Sequence, residues 1–314
     1  MKKIVLLPVK NESWILRHTL HNFSSFADAI IIADQNSTDG SLEIYKGFPK
    51  VTVINNPTEG HSNTARWMLL DECRKMYGTE NIIFCIDADE MISAKTAERI
   101  TAAAQPGASF ELPWIQLWKS IDAYRTDSVW ADNFKGVAFY DDGIVDYDRT
   151  FALNDHVGRI PQTKNMTRLD HDPLLHFQWI AWDATQIKQA WYRCTELIAK
   201  KRSAQAINHA YSVSMDGPHV RLEKTPAEWI SNIPEAAQVK PESDVASSWH
   251  YKQILAWFDQ YGVEFFEPLQ IWHIPQFRDI FVQKTNRQPQ PQTYSAFLIM
   301  ANKFRHAMKR LMGI

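Results

Sequence analysis

Four short apolar runs in the first hundred residues, rich in Ile and Val, constrain this chain more than any other feature: Ile4–Leu7, Ala29–Ala33, Val51–Ile54 and Ile82–Ile86. Helical patterns lie between them. One begins near Asn11 and carries Trp14, Ile15, Leu16 and Leu20; another covers about Ser62–Met76. Fully apolar strands alternating with helices predict an α/β fold with a mostly parallel sheet covered on both faces. At 314 residues, with 45% hydrophobic and 22% charged residues, the chain can bury one large core or two modest ones.

The fourth run ends in Asp87-Ala88-Asp89-Glu90. Acidic residues after a strand are common turn formers. In open α/β sheets, however, ligands bind at the carboxyl edge of the strands. Two carboxylates on one short turn also suit a hard divalent cation that keeps positions for water and phosphate oxygens. Three other polar clusters follow earlier elements at the same edge. Pro8-Val9-Lys10-Asn11-Glu12 follows the first run, with Asn11 placed to cap the next helix. Asp34-Gln35-Asn36-Ser37-Thr38-Asp39-Gly40 follows the second, with turn chemistry throughout and Asp34 positioned to accept hydrogen bonds from a base or ribose. Gly60, Asn63, Thr64, Ala65 and Arg66 open a helix, where an arginine and the helix N-terminus both favour phosphate.

In order and spacing, these four clusters resemble the inverting family 2 glycosyltransferases of the GT-A fold. That family's pattern is a Pro-Val-x-Asn-Glu loop, an Asp-Asp-Gly-Ser-Thr-Asp-Gly-Thr turn, a Gly-x-x-x-Ala-Arg helix and an Asp-Ala-Asp-Asp/Glu strand end. Gln35 and Asn36 replace its usual Asp-Gly. The resemblance implies a nucleotide-diphospho-sugar-binding fold with a central mostly parallel sheet and a helical C-terminal extension. It implies that Pro8, Val9, Asn11, Glu12, Asp34, Asn36 and Asp39 line the nucleotide, that Arg66 faces the diphosphate, and that Asp87 meets ribose and metal-bound water. Asp89 would hold Mn2+ or Mg2+. Asp172-Pro173-Leu174-Leu175-His176-Phe177, followed by Lys188, Trp191, Tyr192 and Glu196, looks like the family's Leu-Leu-His-Tyr segment and the helix after it, making His176 a further metal or phosphate contact. An inverting transfer also needs a general base. Related enzymes carry a His-Glu pair near His156-Val157, where Val157 lacks the carboxylate, leaving Asp142, Asp141 and Asp155 as candidates.

Beyond Ser109 the α/β rhythm breaks. Phe110–Trp118 predicts one more strand, and the segment to Pro161 reads as loops and short antiparallel strands. Helix returns over Thr185–Lys201 and in Pro226–Trp257, the latter interrupted by Pro234–Ser248; Gln283–Thr293 reads as a linker. The expected division is a nucleotide-sugar half over 1–108, an acceptor-side half over 109–215 and a helical extension over 216–314. Tyr294–Ile314 forms an amphipathic pattern with Lys303, His306, Lys309 and Arg310 opposite the apolar face. Such a helix could dock on the protein or lie on an anionic membrane surface.

A net charge of −2 offers no field for nucleic acid. Three widely spaced cysteines, Cys73, Cys85 and Cys194, read as reduced buried thiols. No stretch approaches the roughly 18 apolar residues of a membrane span. The expected location is cytoplasmic, with peripheral attachment to the inner membrane face as the alternative. The expected reaction moves a sugar from a nucleoside diphosphate to a saccharide or lipid-linked hydroxyl, in polysaccharide or lipopolysaccharide assembly. Two rivals are a non-catalytic nucleotide-sugar-binding protein and a phosphohydrolase with Asp87 as nucleophile, for which Glu90-Met91 fits poorly.

Overall fold

The computed structural model describes residues 1–58, 64–149, 158–240 and 245–293. They form two compact units, one comprising Met1–Ala181 and Val220–Pro241 and the other Trp182–His219 and Glu242–Ile314, each by its described residues.

The first unit opens with the predicted alternation: β1 (Lys3–Val9), α1 (Ser13–Phe26), β2 (Ala29–Asp34), α2 (Ser41–Tyr45), β3 (Val51–Asn55), α3 (Thr64–Tyr77) and β4 (Asn81–Cys85). There follow β5 (Glu90–Met91), α4 (Ala94–Ala103), β6 (Ala108–Gln116), β7 (Ala123–Arg125), β8 (Phe134–Asp141), β9 (Asn165–Arg168) and β10 (Leu174–His176). Strand order across the main sheet is β3-β2-β1-β4-β8-β6-β10-β5, with β9 also paired to β6. The pairings among β3, β2, β1 and β4 are parallel, while β8 runs antiparallel to both β4 and β6.

Side-chain alternation covers both faces of the parallel part. Val5, Leu7, Ile30, Ile32, Ile82 and Phe84 pack with Leu16, Leu20 and Phe23 of α1 and Ala97 and Ile100 of α4. Their strand neighbours Ile4, Leu6, Ile31, Ile83 and Cys85 pack with Ala65, Leu69, Leu70 and Cys73 of α3. Leu16, Leu20 and Phe23 are each 0% exposed, and burying a side chain of that size stabilises the fold by about 1.5–3 kcal/mol. The expected strand over Phe110–Trp118 appears as β6; α4 was not anticipated.

The second unit holds α5 (Trp182–Ile198) and α6 (Ala204–Ala210). The chain then returns to the first unit with β11 (Leu222–Lys224), antiparallel to β7, and α7 (Ala227–Ser231). It ends, among the described residues, with α8 (Trp249–Tyr261) and α9 (Pro275–Thr285) of the second unit. Ile187, Ala190, Cys194, Ile254, Phe258, Phe266, Phe277 and Phe281 form that unit's core. Helix α9 extends to Thr285, so Gln283–Thr285 is helical rather than linker. The amphipathic pattern over 294–314 lies outside the described residues. No helix among the described residues is long and apolar enough to cross a membrane.

Candidate active site

Because β1, β2 and β4 are parallel, their carboxyl ends share one edge, and Val9 stands beside Asp34 in the β1–β2 ladder. The loops that follow are tied together by side chains. Asn11 takes a left-handed backbone at φ 55°; its amide N–H donates to Ser37 Oγ at 3.0 Å and its Oδ1 accepts from Thr38 N–H at 2.7 Å. Asn11 therefore does not cap α1, as the sequence suggested: that helix begins at Ser13, whose N–H donates to Asp39 Oδ2 at 2.8 Å across the two loops. Asp39 also accepts from the hydroxyl and amide of Ser41. Glu12 accepts from Trp14 Nε1 at 2.9 Å. Asp34 is buried, with Tyr45 Oη donating to one oxygen at 2.8 Å and Ser37 N–H to the other at 2.9 Å. Asn36 sits at φ 52°. That conformation explains how Asn replaces the family's Gly here, since Asn tolerates the left-handed region better than most residues.

The acidic turn gathers two arginines. Asp87 is bound by Arg66 from the first turn of α3 through Oδ1, and by Arg159 Nη2 at 2.8 Å through Oδ2. Desolvation alone would raise the Asp87 carboxyl, but Arg159 and Arg66 outweigh it and hold the group well below the usual carboxylate range. With both oxygens in ion pairs, Asp87 is not presented as a nucleophile. Arg66 Nη1 is buried and has no hydrogen-bond partner among the described residues, which suits it to an incoming phosphate oxygen. Arg159 also donates to Glu90, at 2.6 and 3.0 Å. Fully buried Glu90 further accepts from Trp114 Nε1 at 2.7 Å and from the Asp87 amide at 3.0 Å. Tyr147 ties down the Arg159 backbone: its hydroxyl donates to the Arg159 carbonyl at 2.9 Å.

Asp89 meets His176 through strand pairing. β10 lies between β5 and β6, setting His176 opposite Glu90 on one side and Gln116 on the other. His176 Nε2 is 3.2 Å from Asp89 Oδ2, and Nδ1 is 2.6 Å from Gln116 Oε1. Trp179 Nε1, which can only donate, reaches the same Gln116 oxygen at 3.1 Å. That oxygen is therefore an acceptor and Nδ1 carries the proton. Nε2 is thus the nitrogen that faces Asp89: a protonated ring donates to the carboxylate there, and a cation taking that proton's place would meet the Nε2 lone pair, the orientation a metal-ligating histidine adopts. Desolvation alone would lower the ring's pKa, yet Asp89, followed by Glu90 and Asp87, raises it above the ordinary value. The Trp114 ring stacks on His176 at 4.9 Å, and Lys135 Nζ sits 4.4 Å above Trp114.

These donors fit a hard divalent cation. One carboxylate and one imidazole would leave the remaining positions for phosphate oxygens and water. Among the described residues no further His, Cys, Asp or Glu completes a group of three.

Two of the carboxylates considered as base lie elsewhere. Asp141 pairs with Asn81 at the start of β4. Six residues at about 3.3 Å each put it roughly 20 Å from Asp87, at the opposite edge of the sheet. It is fully buried and bound to Arg74 at 2.7 Å. Its neighbour Asp142 accepts from the amides of Ile144 and Val145, both at 2.9 Å. An antiparallel strand reverses direction, so its end falls away from the carboxyl edge. Asp155, with His156, Val157, Gly60 and Asn63, lies outside the described residues. Arg159, Glu90 and Gln116 were missed from sequence. Gln116, a polar residue closing the apolar run of β6, and Glu90, adjoining the acidic pair, were open to detection; Arg159 follows no periodic segment that would mark it.

Residues 4–153 match the model of glycosyl transferase family 2. No curated protein matches the chain. Among solved structures, the chain is similar to the mannosyltransferase PcManGT of Pyrobaculum calidifontis in complex with GDP-Man and Mn2+, at 13% identity and TM-score 0.40, over 90% of this chain and 84% of that one. It is likewise similar to S. aureus TarS 1-349, at 12% identity and TM-score 0.39, over 90% and 83%. Likeness at this level transfers neither substrate nor residue role.

Proposed function

We propose that this chain, whose residues 4–153 match glycosyl transferase family 2, is a glycosyltransferase that moves a sugar from a nucleoside diphosphate to a hydroxyl of a saccharide or lipid-linked acceptor. The transfer inverts the anomeric centre and depends on Mn2+ or Mg2+, and cell-surface polysaccharide or lipopolysaccharide assembly is the setting that suits it. The observation that carries this reading is the convergence of Arg66 and Arg159 on Asp87 beside the Asp89–His176 pair.

In this reading the tied loops carrying Pro8, Val9, Asn11, Glu12, Asp34, Asn36 and Asp39 receive the base and ribose. Arg66 and Arg159 exchange part of their contact with Asp87 for the donor's diphosphate, which keeps the local charge balanced before and after binding. Asp89 and His176 would hold the cation, which supplies Lewis-acid stabilisation to the leaving diphosphate. Trp114, packed on His176, helps exclude water from that side. Of the carboxylates considered from sequence, Asp155 remains to take the acceptor's proton.

Transfer from a panel of nucleotide sugars, with and without Mn2+, tests the proposal. Asp89→Ala and His176→Ala are expected to stay folded and lose transfer. Full activity in Asp89→Ala would remove the metal role.

A further inference from the structure

Helix α5 turns a row of buried polar side chains into the second unit: Thr185, Gln186, Gln189 and Arg193. Gln186 and Arg193 are seven residues apart, two helical turns, and so share a face. Arg193 is 0% exposed. Only its Nη2 has a hydrogen-bond acceptor, the Tyr211 carbonyl at 3.0 Å, with the Tyr211 ring 5.1 Å from the guanidinium carbon. Nε and Nη1 are buried without a hydrogen-bond partner among the described residues.

Buried charges in folded proteins are normally paired, and the acid nearest along the helix does not serve here. Glu196, one turn on, is held by Arg202 and by the Tyr211 hydroxyl at 2.8 Å. Burial lowers the Arg193 guanidinium to about 10, opposed only by Tyr211 and Cys194, with no carboxylate among the causes. His273, bonded to Gln186 Oε1 at 3.0 Å, stands close enough to feel the same positive charge. A guanidinium cannot shed its proton to escape this setting.

We propose that the second unit binds a small oxyanion, a phosphate or carboxylate, on the Nε and Nη1 donors of Arg193. The ion supplies the counter-charge that the described side chains do not. This site is separate from the reading given for the acidic turn and stands without it. Its source is either a free ion or an acidic group carried by a larger ligand.

The test follows thermal unfolding of the full chain against sodium phosphate at constant ionic strength, in the wild type and in Arg193→Met. Phosphate is expected to raise the wild-type midpoint saturably by several degrees, and Arg193→Met is expected to lose that component. Binding at Arg66 and Arg159 would raise both proteins alike, so the difference between them is the readout. Glucose 6-phosphate in place of phosphate separates the sources: a response through Arg193 assigns a carried group, and a response to phosphate alone assigns a free ion. Equal responses in both proteins would overturn the proposal. Should Arg193→Met not fold, wild-type crystals soaked in selenate decide. An anomalous peak within hydrogen-bond distance of Nε or Nη1 upholds the site, and its absence overturns it.

Discussion

Gln116 Oε1 lies 2.6 Å from His176 Nδ1, and through that contact a residue at the end of β6 decides which imidazole nitrogen faces Asp89. The orienting partner of a metal-bound histidine is commonly worth 10–100-fold in metal affinity. Gln116→Leu is therefore expected to weaken Mn2+ binding roughly 10–100-fold, while leaving the Asp89 and His176 side chains in place. Paramagnetic titration of Mn2+ in the presence of a nucleoside diphosphate measures it. Unchanged affinity would show that the ring is oriented by strand pairing alone.

Arg159 is the only cation bonded to the buried carboxylate of Glu90 among the described residues. Removing one partner of a buried pair strands the other in low dielectric. Arg159→Met is expected to cost about 3–5 kcal/mol. Adding Glu90→Gln should recover part of that loss, because the stranded charge disappears. Urea unfolding of the two single variants and the double variant closes the cycle.

Asp141 and Asp142 are adjacent in sequence but should behave differently when neutralised. Asp141→Asn leaves Arg74, about one-fifth exposed, without its main partner, and a cost of roughly 2–4 kcal/mol is expected after allowing for that exposure. Asp142→Asn weakens two turn hydrogen bonds and should cost about 1 kcal/mol. Both variants are expected to transfer sugar at the wild-type rate per folded molecule. A selective loss of turnover in either, with stability intact, would return it to the list of bases.

The three cysteines are buried and unpaired with one another. Burial, then Asp141, pushes the Cys73 thiol up to about 12. Burial likewise raises Cys85 and Cys194. A raised thiol pKa keeps the thiolate scarce below that value, so moving from pH 7 to pH 9 should not open these sites. Native protein is expected to resist a disulfide reagent across that range and to react at all three thiols once unfolded. A fast native phase would mark a thiol less shielded than described.

Gly136 leaves room for Ile160, the residue after Arg159. A methyl group at Gly136 would lie 2.7 and 2.8 Å from Ile160 Cδ1 and Cγ1. Gly136→Ala is expected to destabilise the protein by about 1–3 kcal/mol and to lower transfer by moving Arg159. Chemical unfolding together with a single-turnover assay separates the two effects.

The parallel half of the sheet was readable because β1, β2 and β4 are buried on both sides and its helices carry one apolar stripe, two periods that local sequence displays; the edge strand β3 is only partly covered. The acidic turn was readable because its residues sit together. His176 was anticipated through the family pattern, not through its lone position after two leucines. What escaped depends on pairing direction. β8 runs against β4, which sends Asp141 to the opposite edge, and no spacing within Val137–Asp142 reveals that reversal. Arg159 escaped because its partners Asp87 and Glu90 lie 72 and 69 residues away. Asn11 was misassigned as a cap because its side chain serves the neighbouring loop, a contact that local rules do not contain.

The interleaving of the two units limits how the chain can be shortened. A stop after His219 would discard Val220–Pro241 along with the later helices. That stretch supplies the partner of β7 and places Ile233, Ala236 and Val239 against Ile15, Met91 and Leu175. An expression fragment built on the first unit alone must therefore splice this stretch back through a new linker. Simple C-terminal deletion leaves an apolar wound directly behind the sheet that carries His176.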